Sequence, residues 1–92
     1  MGRQRRPQPK YLAKKLKAIR EELGIGQLEM SKQLSKLGAT LDGAKVSKFE
    51  RGEREPNLLE IVAYCKAAEI PADCLIDDAW TVKDLLWAMR KK

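Results

Sequence analysis

The 92-residue chain carries 19 Lys and Arg against 13 Asp and Glu, no His and two Cys, with a formal charge of +6. This length supports one domain with a modest core, and no apolar run approaches the ~20 residues of a membrane span. Without His the commonest general base and metal ligand is missing, and Cys65 and Cys74 lack the second pair of a zinc site, so no cofactor, no metal and no enzyme activity are expected.

The positive charge is one-sided. Residues 1–56 hold fourteen Lys or Arg against seven Asp or Glu, whereas residues 57–92 hold five against six. Such a field suits a polyanion, nucleic acid before an anionic membrane surface, or simply keeps a small domain soluble. Residues 1–9 read as a basic arm, poor in apolar residues and disordered on its own. Its Arg3, Arg5 and Arg6, with Lys10, either follow a phosphate backbone and a minor groove or form a solvated tail. No apolar stretch follows the charges of the arm, so it does not read as a secretory signal, and a cytoplasmic protein is expected.

From Lys10 the pattern turns helical. Leu12, Leu16, Ile19 and Leu23 recur on one face, with Lys10, Lys14, Lys15, Lys17, Glu21 and Glu22 on the others, and Gly24 ends the helix. A second helix opens at Gln27, with Met30, Leu34 and Leu37 inward, Ser31 as a small neighbour, and Gly38 as its stop. The turn Gly38 to Asp42 ends in a good N-cap. A third helix then runs from Gly43 to Arg51, closing at Gly52. At about 100° per residue, Val46, Phe49 and Glu50 converge on one side of it. Ala44, Ser47, Lys48 and Arg51 converge on the other, flanked by Lys45. That outer face fits a DNA major groove, and it equally fits an ordinary solvated surface.

After the polar connection Glu53 to Pro56, Asn57 and Glu60 spell a reciprocal cap. The helix that follows is expected to bury Leu58, Ile61, Val62 and Cys65, with Cys65 packed as a small hydrophobe and no disulfide to Cys74. Ile70-Pro71 breaks it. Ala72 to Ile76 reads as a short fifth helix with Leu75 and Ile76 inward. Thr81 and Asp84 cap a sixth, on which Val82, Leu85, Leu86 and Met89 form an apolar stripe. That stripe either packs on the bundle, forms a dimer seam or, with Trp87 and Arg90 to Lys92, lies on a membrane surface; the membrane is the least favoured. No strand pattern occurs, so the fold class is all-α.

Three stretches in order extend this reading: Leu23-Gly24-Ile25-Gly26-Gln27-Leu28-Glu29-Met30-Ser31, then Val46-Ser47-Lys48-Phe49-Glu50-Arg51-Gly52, then Glu55-Pro56 with Leu58-Leu59-Glu60. Together they resemble the Cro/XRE-type helix-turn-helix family of phage and bacterial repressors, across roughly residues 12–76. The resemblance implies a five-helix lambda-repressor-like bundle over residues 10–78, with the helix of 79–92 added, and a homodimer reading double-stranded DNA through helix 3. It implies base reading by Ala44, Lys45, Ser47 and Lys48, and phosphate contacts from Gln27, Arg51 and Arg54; Arg5 and Arg6 of the arm, outside the resemblance, are further phosphate-binding candidates by their charge alone. It also implies a structural salt bridge between Arg20 and Glu50. Three departures stand out: Gly26 replaces the usual Ser or Thr cap; Gly43 and Ala44 fill the first base-contact positions and offer little hydrogen bonding, though Ala44 suits a thymine methyl; and the stretch from Leu34 to Val46 is about five residues longer than usual, read as a longer helix 2 and a wider turn. The expected function is a transcriptional regulator, a repressor. The alternative is an antitoxin or other interaction module acting through its C-terminal helix.

Overall fold

Six helices and no strand make up residues 11–91, the part of the chain that the computed structural model describes. α1 (Leu12–Leu23) turns Leu12, Leu16 and Ile19 into the core. Gly24 ends it at φ 74°, its N–H donating back toward the carbonyls of Arg20 and Glu21. A residue without Cβ adopts that left-handed geometry at little steric cost. α2 (Gln27–Lys36) buries Met30, Ser31 and Leu34. α2 continues to Lys36, and a connection over Leu37 to Asp42 leads to α3.

Asp42 then caps α3 (Gly43–Glu50), its carboxylate accepting the Lys45 N–H at 2.9 Å. α4 (Leu58–Ala68) opens on the reciprocal cap: Asn57 accepts from the Glu60 N–H, and Glu60 accepts from the Asn57 N–H, both at 2.8 Å. α5 (Asp73–Ile76) is a single turn. α6 (Val82–Arg90) starts from the same kind of cap, made by Thr81 and Asp84. α1 is the central strut, packed by α3, α4, α5 and α6, while α2 lies against α3 and α4. No described helix is long and apolar enough to cross a membrane.

Three sequence expectations need correction. On α4 the inward residues are Glu60, Ala63, Tyr64, Cys65 and Ala68, while Ile61 and Val62 are half-buried and Leu58 is 74% exposed. This helix is apolar nearly all round, so its own periodicity selects no face and packing decides. Ile76 is exposed and Cys74 takes the inward place beside Leu75, because a one-turn helix offers room for two inward side chains. On α6, Leu85 and Met89 are buried and Val82 and Leu86 half-buried against the bundle, in keeping with the packing alternative for this stripe. The arm, with Arg3, Arg5, Arg6 and Lys10, lies outside the described residues.

The third correction concerns Lys15, assigned by sequence to the polar side of α1. It is 0% exposed. Its ammonium donates to the carbonyls of Asp77 at 3.0 Å and Leu75 at 3.4 Å. These groups lie at the C-terminal end of α5, where partial negative charge accumulates. Burial lowers the lysine pKa, opposed by the nearby carboxylates of Asp78, Asp77 and Asp84. The lysine stem fills core space while its head satisfies the carbonyls of the α5–α6 corner.

Candidate nucleic-acid interface

The residues singled out by sequence converge on α3 and the start of α2. Val46 and Phe49 point inward with essentially no exposure, and the Phe49 ring meets Tyr64 edge-on with centroids 6.4 Å apart. The C-terminal end of α3 is held by Glu50. Arg20 on α1 donates to it twice, Nε to Oε2 at 2.7 Å and Nη2 to Oε1 at 3.0 Å. The third guanidinium nitrogen, Nη1, donates to the Ile25 carbonyl at 2.9 Å and so ties down the α1–α2 turn. The pair is largely buried, with side chains 15% and 4% exposed. The hydrogen bond to Glu50, more than its charge, holds the Arg20 proton more tightly than usual. Planar double donation of this kind fixes angle as well as distance.

Gln27 joins the same carboxylate, Nε2 donating to Glu50 Oε1 at 3.1 Å. Its amide N–H₂ is therefore turned toward Glu50 in this conformation. The start of α2 offers backbone instead: Gly26 supplies no side-chain cap, leaving the first-turn N–H groups to an anion or to water. Gly43, the first residue of α3, faces the Leu28 backbone, and a Cβ there would meet Leu28 Cα at 3.6 Å, an ordinary contact. Glycine is thus not sterically required at the α2–α3 crossing.

Outward from these anchors, Ala44, Lys48 and Arg51 are exposed, with Lys45 and Ser47 half-buried beside them. Arg51 is already engaged: Nε and Nη2 donate to Glu53 at 2.9 and 3.1 Å, and Nη1 donates to Ser47 Oγ at 2.8 Å. That pair holds the Glu53 carboxyl below the usual range. Arg54 lies exposed just beyond. The face therefore presents one ordered guanidinium, two lysines and a small apolar spot at Ala44, on a helix fixed from behind.

Comparison with known protein families, curated proteins and solved structures gives no match. Among the described residues no group of His, Cys, Asp or Glu is arranged to hold a metal ion.

Two participants in this surface escaped the sequence reading. Leu28 is 62% exposed at the α2–α3 crossing. It stands off the Met30–Leu34 stripe, so a closer look at the helical phase of α2 would have found it. Glu53 gave no signal, because its partnership with Arg51 depends on the turn that follows α3. Behind the face, the Tyr64 hydroxyl is buried with no hydrogen-bond partner among the described residues. Burial, with Glu50 adding to it, pushes its pKa above the ordinary phenol range. Burial likewise raises the Cys65 thiol to about 11, so at neutral pH it is a protonated, unreactive thiol.

Proposed function

We propose that this chain is a cytoplasmic, sequence-specific duplex-DNA-binding regulator, a repressor of the Cro/XRE type, which reads a major groove with α3 as a homodimer. The observation that carries this reading is the double anchoring of α3. Val46 and Phe49 hold its inner side, and the Arg20–Glu50 pair holds its end. A helix fixed in this way loses little conformational freedom on docking, which favours both affinity and register. Lys48 is suited to guanine O6 and N7, with Lys45 and Ser47 flanking it, while Ala44 matches a thymine methyl. Arg51, Arg54 and the uncapped start of α2 supply phosphate contacts, which position the helix without reading sequence. The basic excess of residues 1–56 supplies the long-range attraction.

The test is selection of duplexes from random DNA, followed by affinity measurements at two salt concentrations. With about six phosphate contacts, affinity falls about a thousandfold from ~50 to ~200 mM salt. Lys48→Ala relaxes the sequence preference at one position per half-site, by about 1–3 kcal/mol. Arg54→Ala weakens binding to all sequences alike and lowers the salt slope by about one. A complex insensitive to salt, or a Lys48→Ala protein with unchanged preference, contradicts the reading. A second reading, an interaction module acting through α6, has Trp87 for support, 58% exposed and lining a shallow cleft with Trp80. Absence of duplex binding even at low salt would leave that reading standing.

A further inference from the structure

Trp80 and Trp87 line a cleft of about 320 Å³ with Ala79 and Asp84. On α6, Asp84 and Trp87 lie on the side opposite the buried Leu85 and Met89. Two indoles beside a carboxylate favour a cation, and Trp87 already accepts one: Lys91 Nζ lies 5.1 Å from its ring centroid. The approach to the cleft is acidic. Residues 73–84 hold four Asp against one Lys, in a chain whose net charge is +6. Asp77, Asp78 and Asp84 are exposed there. Two of them are fixed in place, Asp77 Oδ1 accepting the Ala79 N–H at 2.9 Å and Asp84 Oδ2 accepting the Thr81 N–H at 3.0 Å.

The fold sets this acidic, aromatic corner beside the start of α1. Lys15, early in α1, donates to the Asp77 carbonyl just before α6, and Glu22, near the end of α1, meets Arg90 near the end of α6. The two helices therefore run alongside in the same direction. A helical side chain leans toward the N-terminus of its helix, so the Lys15 ammonium overlies the first turn of α1. The corner thus lies next to Tyr11, where residues 1–10 join the bundle. Those ten residues, outside the described residues, carry Arg3, Arg5, Arg6 and Lys10 and no acidic side chain. Arg5 and Arg6 stand six and five positions before Tyr11, a span of at most about 20 Å of extended chain.

We propose that the Trp80–Trp87 cleft and its aspartates form a docking place for the arginines of residues 1–10 of the same chain. A planar guanidinium stacks on an indole while donating to a neighbouring carboxylate, a combination that suits arginine better than lysine. The tether holds the cations at an effective concentration on the order of millimolar, so individually weak contacts are sufficient. Cations docked here are withheld from any polyanion, and the corner competes with phosphate for them. The contact goes beyond the DNA reading and holds whatever α3 binds.

The test is two-dimensional NMR of the full, isotope-labelled chain without DNA, from ~20 to ~500 mM salt, over which the screening length falls from about 20 to about 4 Å. The expected result is a salt-dependent shift of the Trp80 and Trp87 indole N–H signals that dilution of the protein does not alter. The variant Arg3→Glu/Arg5→Glu/Arg6→Glu keeps both signals at their high-salt positions throughout. A nitroxide attached at Gln4→Cys locates the segment, since Cys74 is fully buried and the Cys65 thiol stays protonated. It broadens the Trp87 indole signal at low salt. Asp73→Asn/Asp78→Asn, which spares the two fixed carboxylates, reduces that broadening about threefold, the worth of two exposed ion pairs. Identical indole positions in the wild type and the triple arginine variant at the lowest salt overturn the proposal. So does a shift that grows with protein concentration, which assigns the cleft to a second copy, or a nitroxide that broadens α3 in place of α6. With no duplex present, this contact is decided by the indole signals, and the DNA reading separately by duplex binding.

Discussion

Tyr64 puts a phenol in the middle of the molecule, its ring against Phe49 and its hydroxyl buried without a partner among the described residues. The ring contributes packing directly behind α3, but the hydroxyl loses its water and gains no hydrogen bond in return. Tyr64→Phe keeps the ring and removes the orphaned oxygen. It is expected to leave stability unchanged or raise it by about 1 kcal/mol, read from denaturant unfolding. A loss of stability of that size would show that the oxygen has a partner in solution. Lys15 shows where residue-level reading fails. Its position among Lys14 and Lys17 marks it as surface, and only the corner formed sixty residues later turns it inward. No local pattern encodes that corner.

At the scale of elements, the caps were the most legible features, because each depends on residues within one turn. Asp42, the Asn57–Glu60 pair and the Thr81–Asp84 pair all hold the helix starts that their side chains suggest. Periodicity was equally informative for α1, where apolar and charged faces alternate sharply, apart from Lys15. It was uninformative for α4, whose apolar residues surround the axis and leave the choice of face to α1 and α2. Among the caps, Asp42 bears most directly on the candidate interface, since it ends the long connection and starts α3. Asp42→Ala is expected to destabilise the protein by about 1 kcal/mol, measured by urea unfolding. An unchanged midpoint would mean that packing by Val46 and Phe49 alone sets where α3 begins. The sequence showed which side of α3 faces outward. It did not show that Gln27 donates to Glu50, or that Arg51 is held by Glu53, because both contacts depend on turns whose geometry has no residue signature.

Across the whole molecule, one strut organises the rest. α1 packs on α3, α4, α5 and α6, and through Arg20 and Lys15 it fixes both the α3 end and the α5–α6 corner. Arg90 on α6 also reaches Glu22 of α1 at 2.8 Å, which ties the C-terminal end of α6 to α1. The all-helical class was readable from periodicity and from the absence of alternating strands. The partner was less so: charge asymmetry suggests a polyanion, and the ordered motifs suggest duplex DNA, while the fold by itself specifies neither. The most direct measurement is an isotope-edited NMR titration of the full chain with a selected duplex, following every backbone amide. The account predicts that the largest shifts cluster on the first turn of α2 and on Ala44, Lys45, Ser47, Lys48 and Arg51 of α3. Shifts confined to α6, or none at low salt, would contradict it.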